Sequence, residues 1–408
     1  MNIDDRLSSL FAQLTRDPDF DAEELQAYDS ADQLILRTAA EELAAHPLAP
    51  PLAAGQIVVI GDRHGALTLG AATTLVADVD VDVDVDVDAE ASKIRVHQDP
   101  LLGERALAQN AERLGLAGRF TNHKLDAELL RGARVVLVQL PRGLSQLAEV
   151  SETIARWADP DVIVFAGGRV KHMTRSMNEV LARDFENVSA GLGWRKSRVL
   201  RAASPRTVVR PDGATAPAAA FPKWGTDRDL DFSLASFGAT FGGPVLDHGS
   251  RLLLSTLAGS DRLPQRIVDL GCGNGVLAVA AAKQFPESRV IATDHSIAAV
   301  AATKLTAQAA GAADRIDVYR ADALEAVPAE WADLILLNPP FHTGATVHAG
   351  VGQRLIRACR PALAPGGELR LVFNSHLNYR SLIEREIGPV RQLARTSTFT
   401  VLSATRRV

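Results

Sequence analysis

Cysteine is almost missing from this chain. Its 408 residues hold only Cys272 and Cys359, which excludes a disulfide framework and, unaided, a structural zinc site, so a reducing cytoplasm is the expected home. No apolar run reaches the roughly 18 residues that a membrane-spanning helix needs. The opening Met1-Asn-Ile-Asp-Asp-Arg6 lacks the basic segment and apolar stretch of a secretory signal, so secretion is not expected. Nothing in the chain demands a metal. What is present is ample apolar material, 47% hydrophobic against 23% charged residues. That is the balance of a globular protein, over a length that calls for two or three domains.

Charge is distributed unevenly. Residues 78 to 90 carry seven acids (Asp78, Asp80, Asp82, Asp84, Asp86, Asp88 and Glu90) and no base; without them the formal net charge of −5 becomes +2. In this Asp-Val repeat, valines and aspartates alternate with strand periodicity. It lacks the glycine turn and spacing of calcium loops, so an acidic edge or loop is expected rather than a cation site. Conversely, Arg195, Lys196, Arg198, Arg201, Arg206 and Arg210 lie within sixteen residues that contain no acid. This stripe suits phosphate contacts, and it equally suits a solvated strand edge.

The most informative stretch is Arg266-Ile-Val-Asp-Leu-Gly-Cys-Gly-Asn-Gly-Val-Leu277. It reads as a buried parallel strand running into a glycine turn and a helix. Gly271, Gly273 and Gly275 permit positive φ and close approach of a ligand, and the helix start offers free N–H groups. An acid about twenty residues later, at the end of the next strand, strengthens the signal, and Asp294 meets that condition. Strands near 266, 290, 316, 333 and 369 and a closing hairpin from Val390 to Thr405 predict a doubly wound α/β sheet. Its ligand crevice lies at the strand carboxyl ends.

The same pattern occurs earlier. Ile57 to Leu67 lie over Ile267 to Leu277 without a gap, with Gly61 and Gly65 matching Gly271 and Gly275. Val59 replaces Asp269, and Arg63 replaces Gly273. Ile94 to Asp99, with a helix from Leu101 to Leu114, parallels Val290 to Asp294 and its helix. Val135 to Pro141 parallels Leu334 to Pro340. From first glycine to fourth-strand motif the distance is 78 residues in the first copy (Gly61 to Gln139) and 67 in the second (Gly271 to Asn338). The excess is about the length of the Asp-Val repeat, which therefore reads as an insertion. The expected organisation is two tandem Rossmann-like domains, the first degenerate. They cover residues 1–203 and 224–408, joined by an Ala/Pro-rich linker at 204–223.

A dehydrogenase would use the glycine turn and Asp294 equally well. Asn338-Pro-Pro-Phe-His342 decides against hydride transfer. An exocyclic amine on a purine is a poor nucleophile because its lone pair is delocalised into the ring. The Asn338 side-chain oxygen and the Pro339 carbonyl can accept its two N–H bonds and aim the lone pair at an electrophilic methyl. Pro339 and Pro340 stiffen the loop, so the acceptors are pre-organised. Phe341 can stack on a base that is unpaired or flipped from its helix. Positioning then supplies the rate, with no covalent intermediate.

Together, Gly-Cys-Gly-Asn-Gly and Asn-Pro-Pro-Phe-His resemble the S-adenosylmethionine-dependent methyltransferases that act on the guanine N2 amine of bacterial ribosomal RNA. Those enzymes have two tandem methyltransferase-like domains, of which the first has lost its cofactor site. Trp194 to Leu200, Ala166 to His172 and Phe373 to Tyr379 are more similar to the large-subunit (23S) enzyme. The resemblance implies S-adenosylmethionine as cofactor, and ribosomal RNA or a ribosomal particle as partner. A cytoplasmic monomer is expected, with no membrane and no metal. One departure is Phe241-Gly-Gly-Pro ahead of Leu246-Asp-His-Gly249, where the family usually has a Phe-Ser pair.

The site residues so implied are Asn338, Pro339, Pro340 and Phe341 for catalysis, and Asp269, Gly271, Gly273, Gly275, Asp294, Asp322 and Asn338 for the cofactor. Asp269 has two readings, a prop for the turn or a partner for the cofactor's amino group. Asp322 could accept from an adenine amine or cap a helix. His342 could touch substrate or stabilise its loop. Cys272 reads as a small filler. In the first copy Arg63 would occupy cofactor space and Gln139-Leu-Pro-Arg142 has lost the double proline, so no catalysis is expected there. That copy is either an RNA clamp, through Arg142, Arg169, Lys171, Arg195, Lys196 and Arg198, or a scaffold. Rival functions are N6-adenine methylation, protein-glutamine methylation, and RNA binding without catalysis.

Overall fold

The computed structural model of the chain describes residues 3–19, 25–76, 92–206, 220–257, 263–339 and 346–407. It divides into two compact units, Met1–Ala220 and Phe221–Val408. The Asp-Val repeat, most of the expected linker, and Pro340, Phe341 and His342 lie outside the described residues.

The first unit begins with helices α1 (Ile3–Phe11) and α2 (Ser30–Ala45). Strand β1 (Ile57–Ile60) follows, then α3 (Ala66–Thr74), β2 (Ile94–His97), α4 (Leu101–Arg113), β3 (Phe120–Asn122) and α5 (Ala127–Leu130). The unit continues through β4 (Val135–Gln139), α6 (Leu144–Trp157), β5 (Ile163–Arg169), α7 (Arg175–Asp184), β6 (Phe185–Ala190) and β7 (Ser197–Pro205). The sheet order is β3-β2-β1-β4-β5-β7-β6. Strands β1 to β5 pair in parallel, and β7 is antiparallel to both β5 and β6. Because side chains alternate along a strand, Ile57 and Val59 enter one core with α1, α2 and α3, while Val58 and Ile60 enter another with α6 and α7. Such two-faced burial is why the parallel strands read as unbroken apolar runs.

The second unit opens on a short ribbon, β8 (Lys223–Gly225) with β9 (Leu234–Ser236). Then come α8 (His248–Ser255), β10 (Arg266–Leu270), α9 (Val276–Gln284), β11 (Arg289–Asp294), α10 (Ile297–Ala309), β12 (Ile316–Arg320) and β13 (Ala332–Leu337). Last are α11 (Thr346–Ala362), β14 (Leu363–Asn374), α12 (Arg380–Glu386), β15 (Val390–Arg395) and β16 (Phe399–Thr405). The order β12-β11-β10-β13-β14-β16-β15 repeats the first sheet strand for strand. Each unit is thus a doubly wound sheet ending in an antiparallel hairpin.

Strand register sharpens the internal alignment. Ile60 pairs with His97, and Leu270 pairs with Thr293. One residue further on, Gln98 rather than Asp99 stands where Asp294 stands, so the first copy has a neutral amide in place of the acid. The stripe at 195–210 also differs from a simple edge. Its strand β7 lies between β5 and β6 and runs to Pro205, two residues into the expected linker.

Candidate active site

The site is built where β10, β11 and β13 end. β10 leads into a turn in which Gly271 and Gly273 have φ of +78° and +56°, and a Cβ added at either would meet nothing within 4 Å. Both positions therefore combine a backbone that disfavours side chains with open space beside it. Gly275 is different: a Cβ there would lie 2.9 Å from the Thr303 Cα, so its absence lets α9 start close against α10.

Asp294, at the end of β11, holds the turn. Its Oδ2 accepts from the Gly273 N–H at 3.1 Å and its Oδ1 from the Ser296 N–H at 3.0 Å. Asn274 does the same from the other side, donating through Nδ2 to the carbonyls of Gly243 and Val245, each at 3.0 Å. It thereby fastens the segment ahead of α8, where Phe241 and Val245 are exposed. Cys272 is buried and its sulfur accepts from the Thr303 hydroxyl at 3.1 Å. Burial pushes the thiol pKa up, which fits a filler and not a nucleophile.

Asp269 is fully buried in β10. Its Oδ2 accepts from the Ala278 N–H at 2.9 Å in the first turn of α9, while its Oδ1 is buried with no partner. Burial lifts the carboxyl from 3.8 to about 7; the Ala278 bond opposes the rise and the Asp294 charge adds to it. Asp322 follows β12 but opens a turn, not a helix, and its carboxylate pairs with Arg354 of α11. The helix-capping reading of Asp322 is therefore not what the chain does.

At the end of β13, the Asn338 amide nitrogen donates to the Asp247 carboxylate at 3.2 and 3.5 Å and to the Ser250 hydroxyl at 3.0 Å. The amide oxygen is buried with no partner. Pro339 is buried beside it. Asn274 lies within Gly-Cys-Gly-Asn-Gly and Asp247 within Leu246-Asp-His-Gly249, but neither was expected as a site residue, and Ser250 carries no motif. Asp247 also has helix-start chemistry, capping α8 through the Gly249 and Ser250 N–H groups at 2.9 and 3.0 Å.

These residues could hold a nucleoside cofactor. The turn has room, and the buried Asp269 Oδ1 and Asn338 Oδ1 lack partners. In the first unit the room is gone: a Cβ on Gly61 would meet the Gln139 carbonyl oxygen at 3.1 Å. Instead, cations gather there. The exposed His172 has its pKa lowered by partial desolvation and by Arg142, Lys171, Arg63 and Arg169. Arg195 and Lys196 occupy a tight turn at φ of +44° and +63°, closed by Trp194 and Ser197 bonding each other's backbone at 2.9 and 2.8 Å. Arg37 and Arg195 each lie 4.6 Å from the Trp194 ring centre. Arg198 is exposed on β7, whereas Arg201 is paired with Glu42 at 3.1 Å. Among the described residues, no group of three or more His, Cys, Asp or Glu is arranged to hold a metal, and no helix is long and apolar enough to cross a membrane.

Residues 5–206 match the family described as RLMG N-terminal domain, and residues 231–403 match the Methyltransferase small domain. The chain is 33% identical to "Ribosomal RNA large subunit methyltransferase G" of Pseudomonas putida, covering 96% of both chains. It is 30% identical to the protein of that name from Pseudomonas fluorescens, over 98% of this chain and 99% of the relative. Among solved structures, it superposes on a 16S rRNA N2 methyltransferase from T. thermophilus, in complex with AdoMet and guanosine, with a TM-score of 0.68 at 18% identity. That likeness covers 93% of this chain and 92% of the other, and it shows that the tandem methyltransferase fold is shared.

Proposed function

Since the chain belongs to the ribosomal RNA large subunit methyltransferase G family, we propose that its second unit methylates the exocyclic N2 of a guanine in 23S ribosomal RNA, using S-adenosylmethionine. The observation that carries this reading is Asn338: its amide nitrogen is committed to Asp247 and Ser250, and its buried oxygen has no partner. A buried acceptor left unpaired costs about 1–3 kcal/mol, so a donor supplied by substrate is favoured there.

S-adenosylmethionine, when bound, supplies an electrophilic methyl on a positively charged sulfur. On our reading the Gly271 and Gly273 backbone approaches it closely, with Gly275 letting the helix pack behind. Asp294 takes the ribose hydroxyls, Asp269 the amino group through its free oxygen, and Asp322 the adenine amine. The Asn338 Oδ1 and the Pro339 carbonyl accept the two guanine N2–H bonds, which draws the lone pair out of conjugation. From the motif, Phe341 would stack on the flipped base, Pro340 would stiffen the chain there and His342 could touch substrate. Transfer would break the methyl–sulfur bond and leave a neutral thioether, and the nitrogen's extra proton would go to water.

The first unit we read as the RNA clamp. The cations around His172, joined by Arg195, Lys196 and Arg198 near the Trp194 turn, support phosphate contact. Every catalytic and cofactor residue named comes from one unit of one chain, so a monomer suffices, and we place it in the cytoplasm with its ribosomal substrate.

Labelled methyl transfer to stripped 23S RNA and to assembled large subunits, with the product nucleoside identified, tests the assignment. N2-methylguanosine is expected; N6-methyladenosine or methylglutamine overturns it. Asn338→Ala should lower kcat by at least ~100- to 1,000-fold, the usual loss for a key polar group, with cofactor Kd little changed.

A further inference from the structure

An asparagine amide has two ends of nearly equal size and opposite hydrogen-bonding character. Asn338 can accept a substrate N–H only if its oxygen, and not its NH2, is turned toward the substrate. Nothing in the asparagine itself decides this; its neighbours do.

Two acceptors converge on the nitrogen, the Asp247 carboxylate at 3.2 Å and the Ser250 hydroxyl at 3.0 Å. A carboxylate can only accept, so a reversed amide would set oxygen against oxygen. The Asp247 Oδ1 is itself fixed by the Gly249 and Ser250 N–H groups at 2.9 and 3.0 Å, which bind it to the start of α8. Close approach depends on Gly249, where a Cβ would sit 3.3 Å from the Asn338 Oδ1 and 3.1 Å from the Asp247 Oδ1. The degenerate copy gives the contrast. Its α2 packs on β5 and β7 as α8 packs on β14 and β16, and Asp29 caps it. Among the described residues, however, no hydrogen bond joins Asp29 to Gln139, the residue in Asn338's place.

We infer that Asp247 is a positioning residue for methyl transfer: with Ser250 it holds the Asn338 NH2 and reserves the amide oxygen for the substrate amine. The inference rests on the reading of Asn338 given above. It also explains why the orienting acid sits at a helix start, where backbone N–H groups keep it in place whether or not substrate is bound.

Asp247→Asn tests it in the full-length enzyme. Asparagine caps helices about as well as aspartate, so folding should persist. The new side chain can, however, donate to the Asn338 oxygen and let the amide reverse. Loss of a charge-assisted orienting bond predicts kcat lower by ~10- to 100-fold. KM for RNA, cofactor Kd by calorimetry, and Tm should stay near native values. Ser250→Ala, which removes only the second acceptor, should lower kcat by a smaller factor in the same pattern. Native kcat in Asp247→Asn, with Asn338→Ala inactive, overturns the positioning role and leaves the site reading intact. A kcat loss matched by a lower Tm or a weaker cofactor Kd in both variants also overturns it, because Asp247 then only holds up the fold. An active Asn338→Ala overturns the site reading itself.

Discussion

Cofactor affinity should depend on pH through Asp269. In the free protein this carboxyl is buried, one oxygen lacks a partner, and burial raises its pKa from 3.8 to about 7. Below that pH the side chain is mostly neutral. A cationic cofactor placed beside it favours the ionised form, so binding should expel a proton from pH 5 to 7 and affinity should rise with pH. If the bound carboxyl returns to the ordinary carboxylate range, linkage makes the apparent Kd ~100-fold weaker at pH 5, ~10-fold at pH 6 and ~2-fold at pH 7 than at its plateau. Titration calorimetry at pH 5.5 and 6.5, in buffers of different ionisation enthalpy, measures both the Kd and the proton released. Asp269→Asn should bind more weakly and without the slope. A flat Kd over this range, or an equal slope in the variant, refutes the argument. The same shift acts on stability in the opposite sense. The stabilisation is complete below 3.8 and is lost as pH rises through about 7, on the order of 4 kcal/mol in all at 1.36 kcal/mol per pKa unit. Asp269→Asn should therefore gain on the native protein over that window in denaturant melts of the free form.

Gly273→Arg copies the residue found at Arg63. It should raise cofactor Kd at least ~100-fold, because a side chain fills the open space at a backbone angle that costs ~1–2 kcal/mol for a non-glycine residue; calorimetry and a melt read the two effects, and unchanged Kd would remove the steric account of the first unit's inactivity. Replacing Arg63, Arg142, Arg169 and Lys171 together by Ala in the full chain should flatten the salt dependence of RNA binding. The slope of log K against log salt should fall by about 0.7–0.9 for each phosphate that is no longer neutralised. An unchanged slope would leave the first unit as a scaffold.

Much of the fold was legible because parallel strands buried on both faces are written as short apolar runs, and Ile57–Ile60 and Leu334–Leu337 are such runs. Among the strands not expected is β6: Phe185-Glu-Asn-Val-Ser-Ala190 is largely exposed, so this edge strand has no apolar signature. The glycine turn and Asp294 were legible through local spacing. The Asp247–Asn338 hydrogen bond joins residues 91 apart, and only the closing of α8 over the end of β13 brings them together. Gln98 was hidden for a related reason. An insertion ahead of β2 leaves its alignment one residue ambiguous until register fixes it.

The two copies also bear on the two readings of Asp269. The start of α9 needs an acceptor for the Ala278 N–H, and Asp269 Oδ2 supplies it. In the first copy Val59 stands at that position, yet the equivalent donor, the Thr68 N–H, is still met. Asp62, in the place of Cys272, accepts it at 2.7 Å through one oxygen, and accepts from the Gly65 N–H at 3.0 Å through the other. The structural task has therefore moved three residues along the chain and kept its partner. What has not moved is the spare oxygen. Both oxygens of Asp62 are occupied by backbone, whereas Asp269 Oδ1 is buried and unmatched. Supporting the helix needs only one carboxylate oxygen and either location serves. Leaving the second oxygen unpaired is a cost that helix capping does not explain, and a bound ammonium group would remove it.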